Sequence, residues 1–172
     1  MLLPILNFSE YKFSRHDFIR TERQVLREIE FQTKVVTVDL IIKLLSELAN
    51  QDAIVYHFAI MIFEFYSAMS WNYLCNHTFD VACSAITLSR YALLLEPWND
   101  ALVTVTNITE SSFKHLLKHM FSVLTLFSST SIAKNLKKKF NTPMRTNVGC
   151  YYFPNNLNYC EVSDTLLRVP II

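Results

Sequence analysis

Glycine is almost missing from this sequence, because Gly149 is the only one in 172 residues. A phosphate-binding loop or a dinucleotide-binding fingerprint needs several glycines at fixed spacing, so the sequence contains neither motif. Tight β-hairpins also depend on glycine, most often in Asn-Gly or Gly-Gly turns. The shortage of glycine, together with long apolar runs, therefore predicts a helical protein that does not bind nucleotides through a glycine-rich loop.

Charge is also scarce and nearly balanced. Charged residues make up 18% of the chain and the formal net charge is +1, below the roughly 25% charged content of an average soluble domain. Such a chain produces no overall field that favours nucleic acid or a membrane surface. Apolar residues make up 51%, which leaves two alternatives: a well-buried core, or an apolar surface that a partner covers.

No segment has the features of a membrane span or a signal peptide. The longest apolar stretch, residues 53–71, carries His57 and Glu64 in its middle, whereas a spanning helix needs about 20 residues with few or no charges. The N-terminal residues lack a basic region and Pro4 interrupts their apolar run. We therefore expect no contact with a membrane.

Residues with catalytic or metal-binding chemistry do not form a recognisable pattern. No CxxC pair occurs among the four cysteines, which are Cys75, Cys83, Cys150 and Cys160, so a zinc site is not indicated and the thiols are expected to be reduced. His115 and His119 lie one helical turn apart but have no third ligand nearby, and a solvated or capping role is favoured. We predict no enzyme activity, no cofactor, no metal and no small-molecule substrate.

Apolar residues recur with helical spacing along most of the chain. We predict helices over residues 16–31, 38–49, 53–68 and 79–95, a short turn near 98–105, and a last long helix capped by Thr109. Ser14 and Asp17 predict a capping box for the first helix, and Pro97 is expected to end the fourth. The third and fourth helices are expected to form the core through Phe58, Ile62, Phe65, Ala82, Ala85 and Leu88.

The character of the sequence changes after Phe127. Residues 128–131 are polar, and a basic run follows that consists of Lys134, Lys137, Lys138 and Lys139. We predict a partly disordered C-terminal tail over residues 128–172, with an extended segment packed back onto the helices as the alternative. The lysines are interpreted as solvated, although contact with phosphates or a localisation signal is the other possibility.

Several short motifs, taken in order, resemble those of cyclins. Residues 11–31 resemble the end of a first cyclin box through Ser14, Glu22, Leu26 and Phe31. Residues 37–45 resemble the opening of a second box, and the small-residue run over 81–85 resembles its central helix. Trp98 and the Ile108-Thr109 pair resemble the segments that precede its last helix. The resemblance covers residues 11–140, and its specificity comes from the order of the motifs.

The resemblance implies an all-α fold with a cyclin-like five-helix box and one extra helix from a truncated first box. It implies three parts: residues 1–34 as the end of the first box, 35–127 as the second box, and 128–172 as the tail. It also implies binding to a cyclin-dependent kinase through Glu22, Leu26 and Phe31, in the nucleus and/or the cytoplasm. Leu26 and Phe31 as plain core residues are the alternative, whereas an unpaired buried carboxylate at Glu22 is costly.

The sequence also departs from the cyclin pattern. It lacks the first three helices of a first box, an MRAIL-like segment and a Lys-x-Glu-Glu segment, and a shortened isoform, a fragment and a divergent paralogue all remain open. Weak binding to the kinase, or binding without activation, is therefore expected. The alternative function is a kinase-independent helical adaptor that resembles the cyclin-fold core of general transcription factors, and binding to nucleic acid is not favoured.

Overall fold

The computed structural model describes residues 13–32 and 35–150. Within these ranges the chain is helical and contains no β-strand, which confirms the predicted all-α fold. The chain divides into two compact units, Met1–Val35 and Val36–Ile172. This division describes packing, and the three predicted parts of the chain stay predictions.

The first unit contains one described helix, α1, over Arg15–Glu28. The predicted capping box is confirmed, because the Asp17 backbone N–H donates to Ser14 Oγ and the Ser14 backbone N–H donates to the Asp17 carboxylate. The helix ends earlier than the predicted residue 31. Glu30 and Phe31 adopt positive φ angles of 51° and 57°, and their N–H groups close the last turn onto Arg27 and Leu26.

The second unit contains six α-helices within residues 36–150. The five helices of the predicted box are α2 to α5, over Val38–Leu48, Ala53–Met69, Thr78–Ala92 and Asp100–Thr106, and α6 over Lys114–Leu124. A sixth helix, α7, spans Ser131–Phe140. Short 3-10 turns connect these helices at Trp71–Cys75, Glu110–Ser112, Phe127–Ser129, Pro143–Arg145 and Val148–Cys150.

Helix α4 is the centre of the second unit. All ten of its residues from 81 to 90 are buried, and the helix packs against α2, α3 and α6. Small side chains such as Ala82 and Ala85 let these neighbours approach closely, while Phe58 and Phe65 of α3 fill the space beside them. All six predicted core residues are buried, so helical periodicity located the core correctly.

Two helix boundaries differ from the sequence prediction. Helix α4 ends at Ala92, before the predicted residue 95, because Leu94 adopts a left-handed conformation with φ of 58°. The Leu95 N–H then donates to the Arg90 carbonyl oxygen, which closes the helix end well before Pro97. Thr109 does not cap α6. It precedes the turn Glu110–Ser112, and its hydroxyl bonds to the Ser111 hydroxyl.

The buried guanidinium of Arg90 joins two connections at one end of the unit. Its Nε donates to the Glu96 carbonyl oxygen at 2.7 Å, and its terminal nitrogen donates to the side-chain oxygen of Gln51 in the α2–α3 turn. Burial lowers the pKa of Arg90 from its ordinary value, while Glu96 and Asp52 raise it. These hydrogen bonds offset part of the cost of burying the charge.

The interval 128–150 is not the disordered segment that the sequence predicted. Helix α7 buries Ala133, Leu136 and Phe140 against the rest of the unit. Its Lys139 Nζ forms an ion pair with the two carboxylate oxygens of Glu64 on α3, at 2.6 and 2.7 Å. The prediction was wrong here because three apolar residues in a lysine-rich stretch suffice to anchor a short helix. The remaining tail residues, 151–172, lie outside the described residues.

The only glycine of the chain stands where a side chain does not fit. Gly149 lies in the turn Val148–Cys150, which packs against α7. A Cβ at this position would clash with the carbonyl oxygen of Lys137 and with the backbone nitrogen of Asn141. Glycine therefore permits the close approach of two backbone segments here.

Candidate partner-binding surfaces

Helix α1 carries an apolar stripe that none of the described residues buries. Val25 lies seven residues after Phe18, and Ile29 follows Val25 by four residues and Leu26 by three, so these four residues share one face of the helix. Val25 is 51% exposed and Ile29 is 43% exposed, and α1 has no buried residue at all. An amphipathic helix gains most of its stability by burying such a stripe, and here the stripe remains available to a partner.

Glu22 lies in the middle of this stripe. It is one helical turn from both Phe18 and Leu26, so the carboxylate projects from the apolar face and not from the charged one. Glu22 is exposed and Leu26 is half-buried. The structure thus brings two of the three sequence-predicted site residues onto one surface.

Phe31, the third predicted residue, does not belong to the helical stripe. It follows the end of α1, has a φ of 57°, and is 66% exposed. Its backbone N–H donates to the Leu26 carbonyl oxygen at 2.8 Å, which fixes the position of its Cα relative to that residue. Phe31 therefore extends the apolar surface beyond the helix end, and its exposure excludes a core role within the described residues.

The opposite side of α1 carries a stripe of arginines. Arg20, Arg23 and Arg27 are separated by three and four residues, which places them on one face. We call this face the arginine stripe. It lines a recess of about 470 Å³ whose apolar lining includes Ile19.

A second exposed apolar surface lies on α2. The apolar residues of this helix divide between a buried and an exposed face. Val38, Ile41 and Leu45 are buried, whereas Leu40, Leu44 and Leu48 are each at least half exposed. These three leucines lie at a spacing of four, so they form a continuous ridge that we call the leucine ridge.

His119 has a structural role that the sequence did not reveal. Its Nδ1 is 2.9 Å from the hydroxyl oxygen of Tyr66, whose side chain is completely buried on α3. Burial raises the pKa of the Tyr66 phenol from its usual value. The neighbouring His115 is exposed, and no group of three metal-ligating side chains occurs within residues 13–32 and 35–150.

The described cysteines divide into one buried and two exposed thiols. Cys83 is completely buried in α4, and burial raises the pKa of its thiol to about 12. Such a thiol is protonated at neutral pH and is a poor nucleophile. Cys75 and Cys150 are exposed, and the Cys150 Sγ donates to the Asn141 side-chain oxygen. Cys83 is therefore a small core residue.

The second unit is a helical domain built around a buried central helix. Residues 38–151, which are more than half of the chain, match the family described as Cyclin, C-terminal domain. The chain belongs to the cyclin family, whose fold is regulatory and not catalytic. The match begins at Val38, after α1, and it includes α7. No curated protein matches the chain.

No helix within the described part of the chain is both long enough and apolar enough to cross a bilayer. Helix α3, the longest and most apolar of them, has 17 residues and contains Glu64, which is paired with Lys139.

Proposed function

We propose that this protein is a cyclin-like regulatory subunit that binds a cyclin-dependent kinase through the apolar stripe of α1. The main support for this proposal is the position of Glu22. Its carboxylate is exposed in the centre of an apolar stripe that no described residue covers. Cyclin domains commonly have protein partners of this kind. The family membership supports a regulatory role, and the stripe supports α1 as the contact.

The chemistry of the stripe suits a partner helix with an apolar face and a hydrogen-bond donor. Fully burying a side chain such as Leu26 stabilises a complex by roughly 1.5–3 kcal/mol, and Phe31 offers a second apolar group that is 66% exposed. Glu22 then accepts hydrogen bonds from the partner. Because its carboxylate is charged, these bonds are stronger than neutral ones, and they select partners that present a donor at that point.

The described helices of the second unit pack around one buried centre. Helix α4 is surrounded by α2, α3 and α6, and Arg90 ties the connections at one end together. A domain packed in this way presents fixed surfaces and no cluster of groups that the fold arranges for chemistry. Regulation by binding is therefore the proposed mode of action.

A kinase-independent adaptor is the second candidate, and one observation favours it. The basic run lies on a folded helix, and Lys134 and Lys138 are exposed one turn apart on α7. Cations held on a fixed surface bind phosphates better than cations on a disordered segment, because less conformational entropy is lost. A nucleic-acid column at low salt tests this candidate. The adaptor is supported if the column retains the parent protein and does not retain a Lys134→Gln, Lys138→Gln variant.

A binding measurement with point variants tests the kinase proposal. The full chain is titrated against a panel of cyclin-dependent kinases, beside Glu22→Ala and Arg23→Ala variants. Glu22→Ala should lose about 1.5–3 kcal/mol of binding free energy, because it removes hydrogen bonds to a charged group. Arg23→Ala should change little, because Arg23 lies on the other face of α1. Equal affinity of the parent and Glu22→Ala for every kinase would remove the proposed site.

A further inference from the structure

The arginine stripe of α1 has no function in the kinase contact. Arg23 and Arg27 are one turn apart, and within the described residues neither has a carboxylate partner. Arg20 is only loosely neutralised, at 3.7 Å from Asp17. An arginine guanidinium gains most from a partner that accepts two hydrogen bonds at once, so the stripe offers two guanidinium groups that no described carboxylate occupies.

We propose that the arginine stripe binds a phosphorylated side chain of a second protein. A phosphate monoester carries close to two negative charges and three acceptor oxygens. Two guanidinium groups one turn apart can each donate two hydrogen bonds to such a group, and arginine clusters are a recurring way to recognise phosphorylated peptides. The recess beside the stripe, of about 470 Å³ with Ile19 in its wall, has room for the peptide residue next to the phosphate.

Charge favours a phosphopeptide over nucleic acid. The three arginines span about 10 Å of helix, which matches one or two phosphate groups and not the six to ten contacts of a typical nucleic-acid-binding protein. Acidic residues bound the stripe, with Asp17 at one end and Glu28 in the wall of the recess. The chain as a whole has a pI of about 7.7, whereas nucleic-acid-binding domains are usually strongly basic.

The two faces of α1 make this second site compatible with a kinase on the first. The apolar stripe with Glu22 and the arginine stripe lie on different sides of the helix, so one partner does not cover both. A phosphorylated protein held on the arginine stripe would lie near whatever occupies the apolar stripe. The inference goes beyond the proposed function and does not depend on it.

The test uses the full chain and a fluorescein-labelled peptide of sequence Ala-Gly-pSer-Gly-pSer-Gly-Ala. Its unphosphorylated form, inorganic phosphate and a single-stranded oligothymidine of the same charge serve as competitors. The phosphopeptide should bind, and an Arg23→Gln, Arg27→Gln variant should lose at least about tenfold in affinity, which is about 1.4 kcal/mol, because it removes charge-assisted hydrogen bonds. Glutamine keeps the helix propensity close to that of arginine.

A matched control distinguishes binding by the arginine stripe from attraction to positive charge elsewhere on the protein. A Lys114→Gln, Lys118→Gln variant removes two exposed cations with the same spacing from α6, and its affinity for the phosphopeptide should stay within about twofold of the parent. Equal losses in both variants, no binding of the phosphopeptide, or tighter binding of the oligothymidine would each overturn the proposal. Competition by inorganic phosphate at the peptide's own concentration would overturn it too, because a free ion and not a peptide would then be the ligand.

Discussion

The indole N–H of Trp98 donates to the carbonyl oxygen of Ile108 at 3.0 Å. The two residues flank α5, so the hydrogen bond closes this short helix into a compact corner before α6. The indole ring also meets Phe113 edge-on, with ring centroids 4.9 Å apart. Trp98 and Ile108 both belong to the motifs that resemble a cyclin box, and the structure shows that these two residues contact each other.

Replacing Trp98 with Phe should destabilise the protein. The change removes the donor for the Ile108 carbonyl oxygen and leaves that group without its partner, which costs about 1–3 kcal/mol. Chemical unfolding in urea measures the loss. The matched control is Trp71→Phe, because Trp71 is 90% exposed and its replacement should stay within about 0.5 kcal/mol of the parent. Similar effects of the two changes would show that the corner contributes nothing to stability.

Leu94→Gly should stabilise the second unit. Leu94 has a φ of 58° and is 91% exposed, so its side chain makes little contact to offset the strain of a left-handed residue, about 1–2 kcal/mol. Glycine adopts this conformation without strain, although it loses more entropy on folding, and we expect a net gain of up to about 1 kcal/mol.

The control for this change is Leu94→Ala, which keeps a Cβ and therefore keeps the strain. A thermal unfolding scan should place the Gly variant above the parent and the Ala variant close to it. A Gly variant that unfolds below the parent would mean that the helix end at Ala92 is not held by a left-handed residue in solution.

Glu110→Gln should raise stability at neutral pH. Burial raises the pKa of the Glu110 carboxyl above its ordinary value of 4.5, while Lys114 partly opposes the shift. The folded state therefore holds the proton more tightly than the unfolded state, and the charged carboxylate destabilises the fold at every pH above its folded pKa. This penalty disappears as the pH falls through the folded pKa towards 4.5.

Unfolding curves at several pH values test how the stability difference between Glu110→Gln and the parent changes with pH. The advantage of Glu110→Gln over the parent should be largest near pH 7 and should shrink as the solution is made acidic. Lys114→Gln should act in the opposite direction near pH 7, because it removes the cation that favours the charged carboxylate. An advantage of Glu110→Gln that grows on acidification would contradict the assigned cause.

Much of the fold was predictable because burial and helical spacing agree in the sequence. Phe58 and Phe65 recur at spacings that fit α3, and Ala82 and Ala85 identify the helix that others approach closely. Helix ends were less predictable. Leu94 and Glu30 end their helices in a conformation that usually signals glycine, and the chain uses its one glycine elsewhere.

Features that depend on distant partners could not be predicted. Arg90 is buried because it meets Gln51, 39 residues away, and arginine is rarely a core residue. Lys139 is ordered because it meets Glu64, 75 residues away. For the candidate site, spacing alone placed Glu22 and Leu26 on one face, whereas the position of Phe31 after the helix end required the backbone geometry.

Hydrogen–deuterium exchange of the full chain, with and without a cyclin-dependent kinase that it binds, tests the central claim most directly. Because α1 has no buried residue, its amides should exchange rapidly in the free protein. The proposal predicts that the kinase slows exchange over residues 18–29 and leaves the centre of α4 unchanged. Failure to bind any cyclin-dependent kinase, or protection confined to helices other than α1, would contradict it.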